Sequence, residues 1–140
     1  MSKKIYIGID TGAHTGIAVW SQERKELLQV ETLKIHQAMK LVEAHIEAYG
    51  SDKVVVRFED ARLRKWYGNS GREKLQGAGS IKRESGIWDD FLADLGIEYK
   101  AVAPKNNMTK LSADQFKRIT GWTGRTNEHS RDSAMLIYGI

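Results

Sequence analysis

The 140-residue sequence has no cysteine, so disulfide frameworks, thiolate zinc sites and a catalytic thiol are all excluded. A chain of this kind fits the reducing cytoplasm, which is the expected location. Proline occurs once and glycine thirteen times, too little of either for a collagen-like or proline-rich disordered chain. Long apolar runs are also missing. Stretches such as Ile17-Ala18-Val19-Trp20 and Ala134-Met135-Leu136-Ile137-Tyr138 fall far short of the ~18 residues of a membrane helix, so no membrane partner is expected. Lys3 and Lys4 open the chain as a signal peptide would, but Asp10 interrupts before an apolar stretch develops, and the segment is expected to be an unprocessed strand. No internal repeat or low-complexity segment is present. What remains, 41% apolar and 29% charged, is the balance of a folded chain. A chain of this length buries about two thirds of the surface it exposes when unfolded. One domain spanning 1–140 is expected.

Charge is distributed unevenly. Twenty-two lysines and arginines against eighteen acids give a net charge of +4. The segment from Arg57 to Arg83 holds eight bases (Arg57, Arg62, Arg64, Lys65, Arg72, Lys74, Lys82, Arg83) and three acids (Glu59, Asp60, Glu73), a local excess larger than that of the whole chain. A polyanionic partner would be met there.

Hydrophobic periodicity predicts the order β-β-β-α-β-α-β-α-α. Strands are predicted over Lys4–Asp10, Thr15–Trp20 and Leu27–Leu33, joined as an antiparallel meander. Ile35, Ala38, Met39, Val42, Ile46 and Tyr49 recur at helical spacing up to Gly50. Lys53–Glu59 carries the continuous apolar run Val54-Val55-Val56 of a strand buried on both faces. Residues 62–72 have no period and read as a loop. A helix with Leu75, Ala78, Ile81, Ser85, Trp88, Leu92 and Leu95 on one face follows, stopped by Gly96. The remaining elements are a strand over Ile97–Ala103, a short helix over Ser112–Thr120 capped by Ser112, and a last helix over Glu128–Ile140. The fold class is α/β, a five-stranded mixed sheet whose first three strands are antiparallel, flanked by helices.

Acids recur where the predicted strands end. Asp10 closes the first strand and Glu59 the fourth, and strand ends are where mixed sheets build sites. If these two strands are parallel neighbours, the two acids lie about 5 Å apart. Carboxylates that close do not both ionise cheaply without a cation between them. His129 and Asp132, three residues apart on a helix, project from one face and complete a set of three carboxylates and an imidazole. Such oxygen-rich sets suit magnesium or manganese, and two ions about 4 Å apart clamp the attacking and leaving oxygens of a phosphodiester. The competing readings are structural: Asp10 before Thr11-Gly12 as a turn former, Glu59 as a rim charge paired with Arg57 or Arg62, and Asp132 and Glu128 as complements to the positive end of a helix. Asp60 is expected on the opposite face from Glu59, solvated or paired.

Ile7-Gly8-Ile9-Asp10-Thr11-Gly12 followed by Thr15-Gly16, then Val54-Val55-Val56-Arg57-Phe58-Glu59, then His129-Ser130-Arg131-Asp132-Ser133-Ala134, resembles in order the RuvC-type Holliday junction resolvases of the RNase H-like superfamily. The resemblance implies the RNase H-like fold, a homodimer, and metal-dependent cutting of four-way DNA junctions that leaves 5′-phosphate and 3′-hydroxyl ends. It places metal ligands at Asp10, Glu59, His129 and Asp132, with Mg2+ or Mn2+, two per active site, as cofactor. Position 129 departs from the commoner aspartate of that family. Lys110 stands where the family has a lysine near the scissile phosphate.

For the branched DNA partner, the stretch Arg62-Leu63-Arg64-Lys65-Trp66-Tyr67 offers cations for phosphate and aromatic faces for unpaired bases. Arg72, Lys74, Lys82, Lys105 and Lys110 extend this candidate interface. Trp122 reads either as a core cover or as a further nucleic-acid contact. Two other functions compete: a nuclease of the same superfamily acting on another DNA or RNA, and an ATP-binding domain, since Gly8-Ile9-Asp10-Thr11-Gly12 also resembles the phosphate turn of actin-like ATPases.

Overall fold

The computed structural model describes residues 3–63, 72–104 and 111–140, with backbone alone for 72–81. Five strands, β1 (Ile5–Asp10), β2 (Thr15–Ser21), β3 (Glu26–Leu33), β4 (Val54–Glu59) and β5 (Glu98–Val102), form one sheet in the order β3-β2-β1-β4-β5. Among the described residues the helices are α1 (Ile35–Tyr49), α2 (Arg72–Leu95), α3 (Ala113–Thr120) and α4 (Glu128–Met135), and a 3-10 turn spans Ala61–Leu63. β1, β2 and β3 are antiparallel, whereas β4 is parallel to both β1 and β5. Parallel neighbours need crossovers, and α1 and α2 supply them. This is the expected mixed sheet. No helix among the described residues is long and apolar enough to cross a membrane.

Alternation along the central strands divides the core in two. Ile5, Ile7 and Ile9 of β1, with Val54, Val56 and Phe58 of β4, pack against Ala38 and Val42 of α1 and Trp88 and Leu92 of α2. The opposite face is smaller. Ala18 and Trp20 of β2 and Val30 of β3 meet Phe116 of α3 and Ala134 and Ile137 beyond them. Each fully buried side chain of this size contributes about 1.5–3 kcal/mol relative to exposure. Trp122, open between a core cover and a nucleic-acid contact in the sequence, packs partly buried against this second core.

The helix ends follow local chemistry. Gly50 ends α1 at φ 97° with its N–H donating to the Ile46 carbonyl. Ser112 caps α3 reciprocally: its Oγ accepts from the Gln115 N–H at 3.2 Å, and Gln115 Oε1 accepts from the Ser112 N–H at 2.9 Å. The last helix is shorter than its apolar spacing predicts. Beyond Met135 the bonding becomes mixed, with Leu136 N–H donating to the Ser133 carbonyl and Ile137 N–H to Ala134 three residues back while Tyr138 N–H donates to Ala134 four back, and Gly139 then turns the chain at φ 81°. Tyr49, in phase with the buried face of α1, is 44% exposed and stacks on His45 at the helix end instead of joining the core.

Candidate active site

The register of β1 and β4 sets Asp10 directly beside Glu59. Paired positions of parallel strands face the same way, so both acids lie on the sheet face opposite the larger core. Helix α4 packs across that face, over β1, β2 and β3. Ser130, Ser133 and Ala134 are its buried side. His129 and Asp132 flank that side, both partly exposed. His129 Nδ1 stands 3.2 Å from Asp10 Oδ2, so residues 119 positions apart in sequence are in contact. Asp10 is largely buried, with 13% of its side chain exposed, against 46% for His129.

Two glycines permit this approach. A Cβ on Gly8 would lie 2.1 Å from the Ser133 carbonyl oxygen, and one on Gly16 would lie 2.0 Å from that of His129. The backbone of α4 therefore occupies the space that side chains would fill at these two strand positions. The N-terminus of the helix is pinned as well. Asn127 Oδ1 accepts from the Ser130 N–H at 2.9 Å and from Thr32 Oγ1 at 2.7 Å, which ties the cap to β3. Arg131 reaches back from α4 to the Leu111 carbonyl, 2.8 Å, and to Thr126 Oγ1, 2.8 Å.

The backbone beyond β4 is held just as closely. Thr11 Oγ1 donates to the Glu59 carbonyl at 3.0 Å and lies 3.4 Å from Ser85 Oγ of α2. Asp60, 2% exposed, is gripped by Arg62 through Nε at 2.9 Å and Nη2 at 2.7 Å. The same Nη2 lies 2.9 Å from Asp89 Oδ2, and the Tyr99 hydroxyl donates to Asp89 Oδ1 at 2.7 Å. Arg62 thus pairs with Asp60 and Asp89. Its bonds hold the Asp89 carboxyl below its usual range, while that carboxylate raises the Tyr99 phenol.

The donor set of Asp10, Glu59, Asp132 and His129 is the kind that magnesium or manganese takes. Asp10 and Glu59 are neighbours by register and Asp10 and His129 by hydrogen bond. Among the described residues, no group of three or more such side chains is gathered closely enough to hold a metal ion. Lys110, Lys105, Arg64, Lys65, Trp66 and Tyr67 lie outside the described residues, as do the side chains of Arg72 and Lys74 on α2. Lys82 is exposed on α2.

Sequence reasoning did not place several residues around this edge. Arg57 of β4 and Lys100 of β5 are register partners, and Arg57 shares the face of Glu59 two residues on. Its alternation with Glu59 was legible, but its neighbour on β5 was not. Asn127 before Glu128 carries an ordinary cap signal that was readable. Thr11 and Ser85 carry none, since 74 residues separate them.

No family model and no curated protein matches the sequence. Among solved structures the chain is similar to RuvC of T. thermophilus in complex with a Holliday junction substrate. The TM-score is 0.53 at 15% identity, covering 92% of this chain and 87% of that one. At that identity the likeness establishes the fold, which is RNase H-like.

Proposed function

We propose that this chain is a divalent-metal-dependent endodeoxyribonuclease that resolves four-way DNA junctions. It acts in the cytoplasm as a homodimer of one-domain protomers, each cutting one strand. The observation that carries the proposal is the placement of Asp10 beside Glu59 by strand register, with His129 of α4 in contact with Asp10. The shared fold with a protein solved on a Holliday junction supports the choice of substrate.

Asp10, Glu59, His129 and Asp132 would hold the cations. A divalent cation there would supply Lewis-acid polarisation of the phosphodiester and activation of water. The chain's own contribution is placement. Burial restricts Asp10 to few orientations, strand register fixes Glu59 beside it, and the glycine-seated α4 brings His129 against Asp10, with Asp132 three residues on along the helix. Holding reacting groups in this way removes the entropy of assembling them during the reaction. Lys110 would steady the phosphate. The expected products carry 5′-phosphate and 3′-hydroxyl ends.

Arg57 and Lys100 place positive charge on the face that the acids share, where it offsets their repulsion of phosphate. Arg64, Lys65, Arg72, Lys74, Lys82 and Lys105 would add further contacts to phosphate. Trp66 and Tyr67 would stack on bases opened at the branch point.

The test is cleavage of a four-way junction, a linear duplex and an RNA–DNA hybrid of matched sequence in magnesium. Paired, symmetric cuts confined to the junction are the expected result. Equal cutting of duplex or hybrid would move the assignment to another nuclease of this fold, and no cutting of any substrate would refute it.

A further inference from the structure

Arg62 lies three residues beyond Glu59 in a basic stretch, and its charge alone would assign it to DNA. Its surroundings point elsewhere. All four backbone N–H groups from Asp60 to Leu63 are satisfied: Asp60 donates to the Val102 carbonyl at 2.8 Å, Ala61 to Ser85 Oγ at 3.3 Å, Arg62 to Asp60 Oδ1 at 2.9 Å and Leu63 to the Asp60 carbonyl at 3.0 Å. The Glu59 carbonyl accepts from Thr11. The segment is thereby bound to β1, β5 and α2 together. Its hub is the buried Asp60 carboxylate, and removing the cationic partner of a buried carboxylate is strongly destabilising. Arg62 supplies that cation in bidentate form and uses the same Nη2 to reach Asp89 on α2.

We infer that Arg62 is a positioning residue for Glu59, clamping the end of β4 to α2 through Asp60 and Asp89, rather than a DNA contact. The inference rests on the nuclease reading of the rim, in which Glu59 is a cation ligand. A lysine retains the charge but not the planar fork that meets Asp60 twice. Removing the Asp89 carboxylate cuts the tie to α2 without touching the basic stretch.

The experiment compares Arg62→Lys and Asp89→Asn with the wild-type chain. Manganese affinity is measured by titration of the protein alone, and four-way-junction affinity in metal-free buffer over a range of salt. Thermal melting verifies that each variant is folded. If Arg62 positions Glu59, both variants lose manganese affinity by about tenfold or more, the usual effect of disturbing a group behind a ligand, while junction affinity and its salt slope stay at the wild-type values. If Arg62 contacts DNA, Asp89→Asn instead tightens junction binding by releasing the guanidinium, and manganese affinity is unchanged in both, which overturns the proposal. A wild-type chain that binds no manganese refutes the nuclease reading itself. Wild-type binding with unaffected variants refutes the positioning role alone. Asp89 is 37% exposed, so its asparagine variant is expected to fold even if Arg62→Lys does not.

Discussion

Gly16→Ala tests how α4 is seated. The added methyl would lie 2.0 Å from the His129 carbonyl oxygen and 2.4 Å from its carbon. An ordinary carbon–oxygen contact is about 3.3 Å, so the shortfall is about 1.3 Å, and the neighbour is helix backbone that no rotamer change relieves. β2 lies within the sheet between β1 and β3, so the first turn of α4 is the part that yields. A shift of about 1 Å there lengthens the 3.2 Å contact from His129 to Asp10 beyond hydrogen-bonding range and strains the Thr32–Asn127 tie. Overpacking of this sort costs about 1–3 kcal/mol, which for a chain of this size lowers the melting temperature by roughly 3–10 °C. A misplacement of about 1 Å in a reacting constellation costs on the order of 100-fold in rate. Circular-dichroism melting and single-turnover junction cleavage at saturating DNA read the two effects. Gly86→Ala on α2 is the stability control, since its nearest contact is 3.7 Å from Arg62 and an alanine there is expected to hold or raise the melting point. If Gly16→Ala melts with the wild type and cleaves at the wild-type rate, the close seating of α4 does not organise the site.

Further predictions concern charge, capping and pH. Arg57→Ala and Lys100→Ala are each expected to raise the KM for junction DNA with little change in kcat and to lower the salt slope of binding by about one, read by filter binding over a salt series. Asn127→Ala removes the cap of α4 and is expected to cost about 1 kcal/mol, measured by urea denaturation. The Asp89–Tyr99 pair gives stability a pH window. Asp89 is held below its normal range by Arg62 and then Tyr99, so its contribution is present above the unfolded carboxylate pKa and fades as pH falls through the folded one. Tyr99 is raised, chiefly by its bond to Asp89, so its contribution is present below the unfolded phenol pKa and fades as pH rises through the folded one. Tyr99→Phe should therefore flatten the alkaline limb of a melting-temperature profile and leave most of the acid limb.

Much of this architecture was legible in residue order. Strand alternation and the helical spacing from Ile35 to Ile46 placed the sheet and α1, because period and burial coincide there. Asp10 and Glu59 were legible as partners because both end apolar runs and a crossover helix lies between them, which implies parallel register. Asp60 was expected to be solvated or paired, and the structure makes it paired and buried. The end of the last helix was not legible, since Leu136 and Ile137 keep an apolar pattern after the α-helical bonding has become mixed. The ties from Thr11 to Ser85 and from Arg62 to Asp89 were invisible for another reason. They depend on how α2 is set against β4, which no local preference specifies. The glycines at positions 8 and 16 stood in plain view within the strand pattern, yet their role needs the helix that crosses them.

A crystal grown in manganese, read by its anomalous signal, decides whether the rim is a cation site. Manganese is expected there, ligated by Asp10 and Glu59 and reached by Asp132 or His129 from α4, and Asp10→Asn is expected to abolish that signal and junction cutting while junction binding persists. Manganese bound elsewhere, with Asp10 and His129 still paired and the Asp10→Asn chain cutting at the wild-type rate, would contradict that assignment.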